Sequence, residues 1–174
     1  MALQQMDGIR FPVLPADLAA GFRVDTEPLD TVLQRFGVRI DAMQVNHPGR
    51  CYGYRVRNGG TSFVFIPDNE IGACRDRHAC IEEMARFCEG TDVLVHDAQY
   101  TEAELEERRG WGHSTVAEAC GLAIEGNVKR LLLFHHDPDR SDAAVDDLVG
   151  RARLLLNGSG VDCGAASEGL SIVV

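Results

Sequence analysis

Two histidine-containing segments are the parts of this sequence best suited to chemistry. The first is Gly-His-Ser-Thr at 112–115, and the second is the apolar run 130–134 followed directly by His135 and His136. The run 130–134 has the length and the flanking residues of a buried strand, and α/β folds collect their chemistry at the carboxyl ends of strands. We therefore expect the two segments to meet at one edge of a sheet and to form a site.

Further imidazoles and carboxylates also stand at the ends of predicted strands. They are His47, Asp68, His96 and Asp97. Imidazole and carboxylate groups that converge from several strand ends suit a borderline divalent cation such as zinc or manganese. The pattern predicts the site of a metal-dependent hydrolase.

Each candidate has a structural alternative. His47 precedes Pro-Gly and is typical of a turn residue, and Asp68 is equally suited to capping a turn. His113 with the following serine fits a helix N-terminus. His135 and His136 point in opposite directions at a strand end, so one is a candidate ligand while the other packs or supports it.

Asp97 and His113 are candidates for a pair that works together. A carboxylate that orients an imidazole produces a proton donor of suitable pKa, able to protonate a leaving alkoxide. The alternative is an ordinary structural hydrogen bond between the two side chains.

The predicted elements change character along the chain. Strands at 38–45, 52–57 and 62–66 alternate in hydrophobicity, and Asn-Gly-Gly at 58–60 predicts a hairpin turn between the last two. Later in the chain helices alternate with strands, which predicts a parallel arrangement. The helices are expected at 77–88, 115–124 and 142–156, and the strands at 92–95, 130–134 and 170–174. Before them we expect a short helix at 16–20 and a strand at 22–25.

Two helix starts carry recognisable caps. Thr101 with Glu104 three residues later forms a capping box, and Ser141 precedes an acidic first turn. The fold class predicted from these elements is α/β (α+β), with an antiparallel first half.

Composition limits the class of protein. The 174 residues are 45% hydrophobic, which predicts a single domain over 1–174 with its own core. No apolar run approaches the roughly 20 residues that span a bilayer, and the amino terminus lacks signal-peptide features. We therefore expect a cytoplasmic protein, without membrane contact and with its six cysteines reduced.

Charge limits the class of partner. The formal net charge is −10 and Lys129 is the sole lysine, which makes nucleic acid an unfavourable partner because phosphate neutralisation needs clustered basic residues. A small anionic ester can still bind, since bound metal ions would dominate the local field.

Taken in order, these segments resemble the carboxyl-terminal part of the metallo-β-lactamase superfamily, in the branch that holds the tRNA 3′-processing endonuclease Z and related phosphodiesterases. The likeness covers about residues 38–174. The matching segments are His-Pro-Gly at 47–49, Gly-Tyr-Arg at 53–55, Phe-Ile-Pro-Asp at 65–68, His-Asp-Ala-Gln at 96–99, His-Ser-Thr at 113–115, His135 and the tail at 165–169. The resemblance implies a partial αββα sandwich, with a mixed sheet and helices packed on one side.

The resemblance also implies a set of roles. Two divalent metal ions, zinc or manganese, would be bound by His47 on one ion, by Asp68 as a bridge and by His135 on the other. His113, oriented by Asp97, would donate a proton to the leaving group. The implied activity is phosphodiester hydrolysis, because a two-metal site activates water and neutralises charge on the departing oxygen.

The chain departs from the family at the family's most specific motif. His-x-His-x-Asp-His is absent, since no His-x-His occurs and no histidine precedes His47. The domain therefore resembles one truncated at its amino terminus. Each ion would keep about two ligands, below the three usual in catalytic sites, which predicts weak metal binding and a low activity of this chain alone.

Two further expectations follow from this departure, and a third follows from the many reactions that this fold hosts. An apolar sheet face left bare would favour a homo-oligomer. One alternative function is a non-catalytic remnant or interaction module of the same fold. The other is a hydrolase of a different ester class, such as a lactone or a thioester.

Overall fold

The computed structural model describes residues 28–174, except for the side chain of Asp30. The helix predicted at 16–20 and the strand predicted at 22–25 lie outside these residues. The helices are α1 (Leu29–Arg35), α2 (Arg77–Cys88), α3 (Glu102–Arg108), α4 (Val116–Glu125) and α5 (Asp142–Leu155), with a 3-10 turn at Ile71–Ala73. The strands are β1 (Val38–Val45), β2 (Cys51–Asn58), β3 (Thr61–Ile66), β4 (Val93–Asp97), β5 (Arg130–Phe134) and β6 (Asp162–Ala165).

The six strands form one mixed sheet in the order β1 to β6. The first three pair antiparallel, and Gly59 (φ +59°) and Gly60 close the tight turn between β2 and β3. The remaining pairs are parallel, and helices connect their strands. The prediction of a mixed α/β fold with an antiparallel first half is confirmed.

Contacts group Leu33–Val174 into one compact unit, which holds the sheet and helices α2 to α5. The single domain over 1–174 stays a prediction. Among the described residues, no helix has the length and apolar character needed to cross a bilayer.

Each central strand presents alternate side chains to two different cores. On the helix side, Ile66, Leu94 and Leu131 are fully shielded from solvent and pack with residues of α2, α4 and α5. On the opposite side, Val93 and Leu132 belong to a second, smaller cluster. The sheet is therefore apolar on both faces.

The prediction of a bare sheet face is wrong at the centre of that face. Val93, Val95 and Leu132 are at most 7% exposed. Ala166 and Ile172 pack against this cluster, because the segment that follows β6 runs back over the sheet. The homo-oligomer expected from a bare face stays a prediction.

Two further expectations are corrected. The last strand is β6 and lies at Asp162–Ala165, where it pairs with β5, whereas residues 170–174 form no strand. Cys74 and Cys80 are paired as a disulfide, since the turn before α2 brings their Cα atoms to 6.4 Å. The other four cysteines are free, as predicted.

Candidate active site

The predicted site residues converge at one edge of the sheet. Strands β3, β4 and β5 are parallel, so Asp68, Asp97 and His135 leave the sheet at the same end. Strand β1 runs in the same direction as β3, because two antiparallel pairings separate them. The turn after β1 therefore brings His47 to this edge, and the loop before α4 adds His113.

Three of the predicted side chains form one cluster, and His135 adjoins it through Asp68 and His113. Potential ligand atoms of His47, Asp68 and His113 all lie within 4.8 Å of each other. The His135 Nε2 atom lies 2.8 Å from the Asp68 Oδ1 atom, and the ring centroids of His113 and His135 are 4.5 Å apart. The structure brings the three residues predicted as ligands, His47, Asp68 and His135, to one place, together with His113, which was predicted as a proton donor.

The backbone decides which histidine of the adjacent pair faces Asp68. His135 adopts φ +58°, a left-handed conformation that L-residues rarely take and that is concentrated at functional sites. In this conformation its Nε2 atom faces the Asp68 carboxylate. Burial lowers the pKa of His136, an effect that the Ala166 backbone partly offsets.

Local hydrogen bonds orient His47 as well. The Gly49 N–H donates to the His47 Nδ1 atom at 3.1 Å, so Nε2 is the ring nitrogen that could bind a metal ion. Cys51, at the start of β2, places its Sγ atom 3.7 Å from the Asp68 Oδ2 atom. Burial raises the pKa of Cys51, and the Asp68 charge adds to this, so the group is a neutral thiol. Sequence reasoning did not single out Cys51.

Asp97 and His113 form the predicted pair. The His113 Nδ1 atom lies 2.7 Å from the Asp97 Oδ2 atom. Asp97 is fully buried and also accepts the backbone N–H groups of Asn69 and Gln99, both at 3.1 Å. The hydrogen bond to Asp97 raises the pKa of His113 against the opposing effect of burial. This arrangement leaves Nε2 as the free nitrogen of His113.

His96 is a structural residue, although its position after a strand made it a candidate. It is fully buried, and its Nδ1 atom donates to the Asp97 carbonyl oxygen at 2.6 Å. Its Nε2 atom then accepts the Asn69 side-chain amide at 3.2 Å. Burial lowers the pKa of His96, which favours the neutral ring.

Sequence reasoning missed a buried polar layer beneath the site. Glu70 is 1% exposed and accepts the N–H groups of Gly110 and Gly112 at 2.8 and 2.9 Å. The Ser114 hydroxyl donates to the Asn69 carbonyl oxygen at 2.5 Å. The one signal in the sequence is the polar run Asp-Asn-Glu at 68–70 directly after an apolar strand. These contacts hold the loop that carries His113 in place.

The donor set fits a divalent cation. The cluster offers the imidazoles of His47 and His113 and the carboxylate of Asp68. Zinc accepts these ligand types and manganese tolerates them. The His135 Nδ1 atom is also buried and has no hydrogen-bond partner among the described residues. Both carboxylate oxygens of Asp68 lie beside side chains of the site, Oδ1 next to the His135 Nε2 atom and Oδ2 next to the Cys51 Sγ atom.

Position 112 requires a glycine because the His47 ring packs against its backbone. It adopts φ +98°, and a Cβ atom there would lie 2.2 Å from the His47 Cδ2 atom. Gly110 is a matched control, because it adopts φ +86° but has no atom within 4 Å of the corresponding Cβ position. We expect Gly110→Ala to cost about 1–2 kcal/mol of unfolding free energy from backbone strain alone. Gly112→Ala should cost about 1–3 kcal/mol more from overpacking.

Chemical denaturation of both glycine variants measures this difference. Equal unfolding free energies for Gly110→Ala and Gly112→Ala would contradict the contact between the loop and His47.

The sheet and its edge define a metallo-β-lactamase fold with a candidate metal site. The family described as "Beta-lactamase superfamily domain" matches residues 8–136, and the chain belongs to this family. Ribonuclease Z from Latilactobacillus sakei subsp. sakei is 30% identical over 180 residues, covering 83% of this chain and 56% of that protein. Ribonuclease Z from Picrophilus torridus is 34% identical over 77 residues, covering 44% and 24%.

Solved structures share the fold. The metallo-beta-lactamase fold protein YhfI from Bacillus subtilis superposes with a TM-score of 0.61 at 22% identity, covering 77% of this chain and 49% of that one. The short form of human tRNase Z gives 0.54 at 21% identity, covering 78% and 43%. The predicted family and fold class are confirmed. The chain spans about a quarter to about a half of the length of the two ribonucleases Z.

Proposed function

We propose that this chain is a metal-dependent phosphodiesterase. His47, Asp68 and His135 would hold the metal ions, and Asp97 with His113 would serve proton transfer. The observation that carries the proposal is the convergence of His47, Asp68, His113 and His135 on one edge of the sheet. Bound divalent ions, zinc or manganese, would lower the pKa of a bound water and neutralise charge on the phosphate.

Each residue of the site has a distinct task in this proposal. His47 offers Nε2, since its other nitrogen accepts the Gly49 N–H. Asp68 adjoins the imidazoles, with its Oδ1 atom 2.8 Å from the His135 Nε2 atom, and would contribute its carboxylate to the ions. Asp97 holds His113 so that its free Nε2 can give a proton to the departing alkoxide. The relatives to which this chain is similar are hydrolases by name, which supports a hydrolytic reaction.

The comparisons change the substrate class expected from composition. The net charge favoured a small anionic ester over nucleic acid, whereas the curated relatives described above are ribonucleases Z. We therefore propose a phosphodiester of RNA as the substrate.

Hydrolysis assays test the proposal directly. We expect turnover of bis(p-nitrophenyl) phosphate and of a short oligoribonucleotide when manganese or zinc is added, and loss of turnover on chelation. Folded protein that binds metal without turning over either substrate would contradict the proposal and favour the non-catalytic alternative. Turnover confined to lactones or thioesters would favour the other ester class.

A further inference from the structure

Trp111 is an exposed aromatic residue next to the candidate active site. It is the only tryptophan of the chain and its exposed fraction is 61%. It directly follows Gly110 and precedes Gly112, and His113 is the next residue. The metal-site and proton-transfer roles proposed above do not use it. An indole of this size left in solvent beside a site is a candidate contact for a ligand.

The loop that carries Trp111 is held on both sides. The buried Glu70 carboxylate accepts the N–H groups of Gly110 and Gly112, the residues that flank the indole. The backbone N–H of Trp111 donates to the Arg108 carbonyl oxygen at 3.1 Å. A carboxylate loses much of its hydration on burial, a cost that these hydrogen bonds offset. The backbone of Trp111 is thus fixed while its side chain stays accessible.

The loop that carries Trp111 lies against the site. Gly112 packs so closely on His47 that a Cβ atom there would overlap the imidazole. Trp111 is therefore one residue from the contact with His47 and two residues from His113, the proposed proton donor. A group stacked on the indole would adjoin a phosphodiester bound at the cluster.

We propose that Trp111 is a stacking platform for a nucleobase of an unpaired nucleotide next to the scissile phosphodiester. This inference rests on the proposed function and narrows its substrate to single-stranded nucleic acid. The chain carries a net charge of −10, so general attraction to phosphates supplies little affinity. Stacking of bases on an aromatic side chain does not depend on net charge and tolerates any base sequence.

Intrinsic fluorescence of the full chain tests the contact, because Trp111 is the sole indole. We expect a short oligoadenylate to quench this fluorescence, with or without manganese, and an abasic oligomer of the same length and charge to leave it nearly unchanged. Equal quenching by both oligomers, or none by either, would overturn the proposal. A fluorescence change that instead follows protein concentration alone would assign the indole to a protein contact and would also overturn it.

Variants measure the contribution of stacking. We expect Trp111→Ala to weaken binding of labelled oligoadenylate by roughly tenfold or more in fluorescence anisotropy, and Trp111→Phe to retain most of the affinity. Phe36→Ala is a matched control, since Phe36 is 67% exposed and precedes β1 at the end of that strand opposite to His47, roughly 25 Å away. It should bind like the parent. Affinity of Trp111→Ala equal to that of Phe36→Ala would overturn the proposal.

The two proposals fail in different ways. Metal-dependent hydrolysis of bis(p-nitrophenyl) phosphate without an effect of Trp111→Ala on oligoadenylate binding would remove the stacking role alone. Quenching by oligoadenylate in a protein that hydrolyses no phosphodiester would remove the enzyme proposal alone.

Discussion

Replacing Asp68 by alanine is expected to abolish metal binding and hydrolysis together. The Asp68 carboxylate lies 2.8 Å from His135 and within 4.8 Å of His47 and His113, so its loss affects every ligand of the cluster. Loss of a group that merely supports a ligand costs about 10–100-fold in metal affinity or activity, so loss of Asp68, in its proposed role as a ligand shared by two ions, should cost more than about a hundredfold. Calorimetric titration with zinc and manganese measures the affinity.

Two control variants make the Asp68 result specific. Asp68→Asn preserves the shape of the side chain and removes its charge, so it should lose most of the metal affinity without a change in fold. Asp146→Ala removes an exposed carboxylate from the middle of α5 and should bind metal like the parent. Unchanged metal stoichiometry in Asp68→Ala would show that this carboxylate is not a ligand.

Replacing His113 by alanine is expected to separate proton donation from metal binding. If His113 donates a proton, hydrolysis of an oligoribonucleotide should fall by about 10²–10⁴-fold, because its leaving alkoxide needs protonation. Hydrolysis of bis(p-nitrophenyl) phosphate should fall much less, since p-nitrophenolate is stable without a proton. Metal stoichiometry should stay the same. The measurement is the ratio of the two rates in parent and variant.

The structure also allows the opposite outcome for His113, which makes the experiment decisive. A ring nitrogen of His113 lies within 4.8 Å of the potential ligand atoms of His47 and Asp68. If His113 is a metal ligand, His113→Ala would lower metal affinity and reduce the hydrolysis rates of both substrates equally. The hydrogen bond that His113 donates to Asp97 favours the role of proton donor, and Asp97→Asn should then reproduce the substrate-dependent loss.

Elements governed by short-range interactions were predictable from the sequence. Strand β1 and helix α2 have the bounds expected from periodicity. The capping box at Thr101 forms as predicted, because its reciprocal hydrogen bonds join residues only three apart. The hairpin between β2 and β3 likewise needs only its own turn residues.

Features that depend on distant contacts were not predictable. Strand β6 contains Gly164 and has little strand propensity of its own, so its place beside β5 comes from pairing. The cover over Val93 and Leu132 comes from a segment that returns to the sheet after β6. The hydrogen bonds of Glu70 link residues about 40 positions apart, which no local pattern encodes.

By itself, the sequence determined which chemical groups stand at the ends of strands, and therefore that His47, Asp68 and His135 could share a site. The direction of side chains beyond a strand end was decided by the tertiary structure. Periodicity stops where the strand stops, so it does not distinguish His135 from His136, whereas in the structure His135, with φ +58°, is the one whose Nε2 atom faces Asp68. The same holds for the loop of Trp111, which is held in place by a carboxylate buried beneath it.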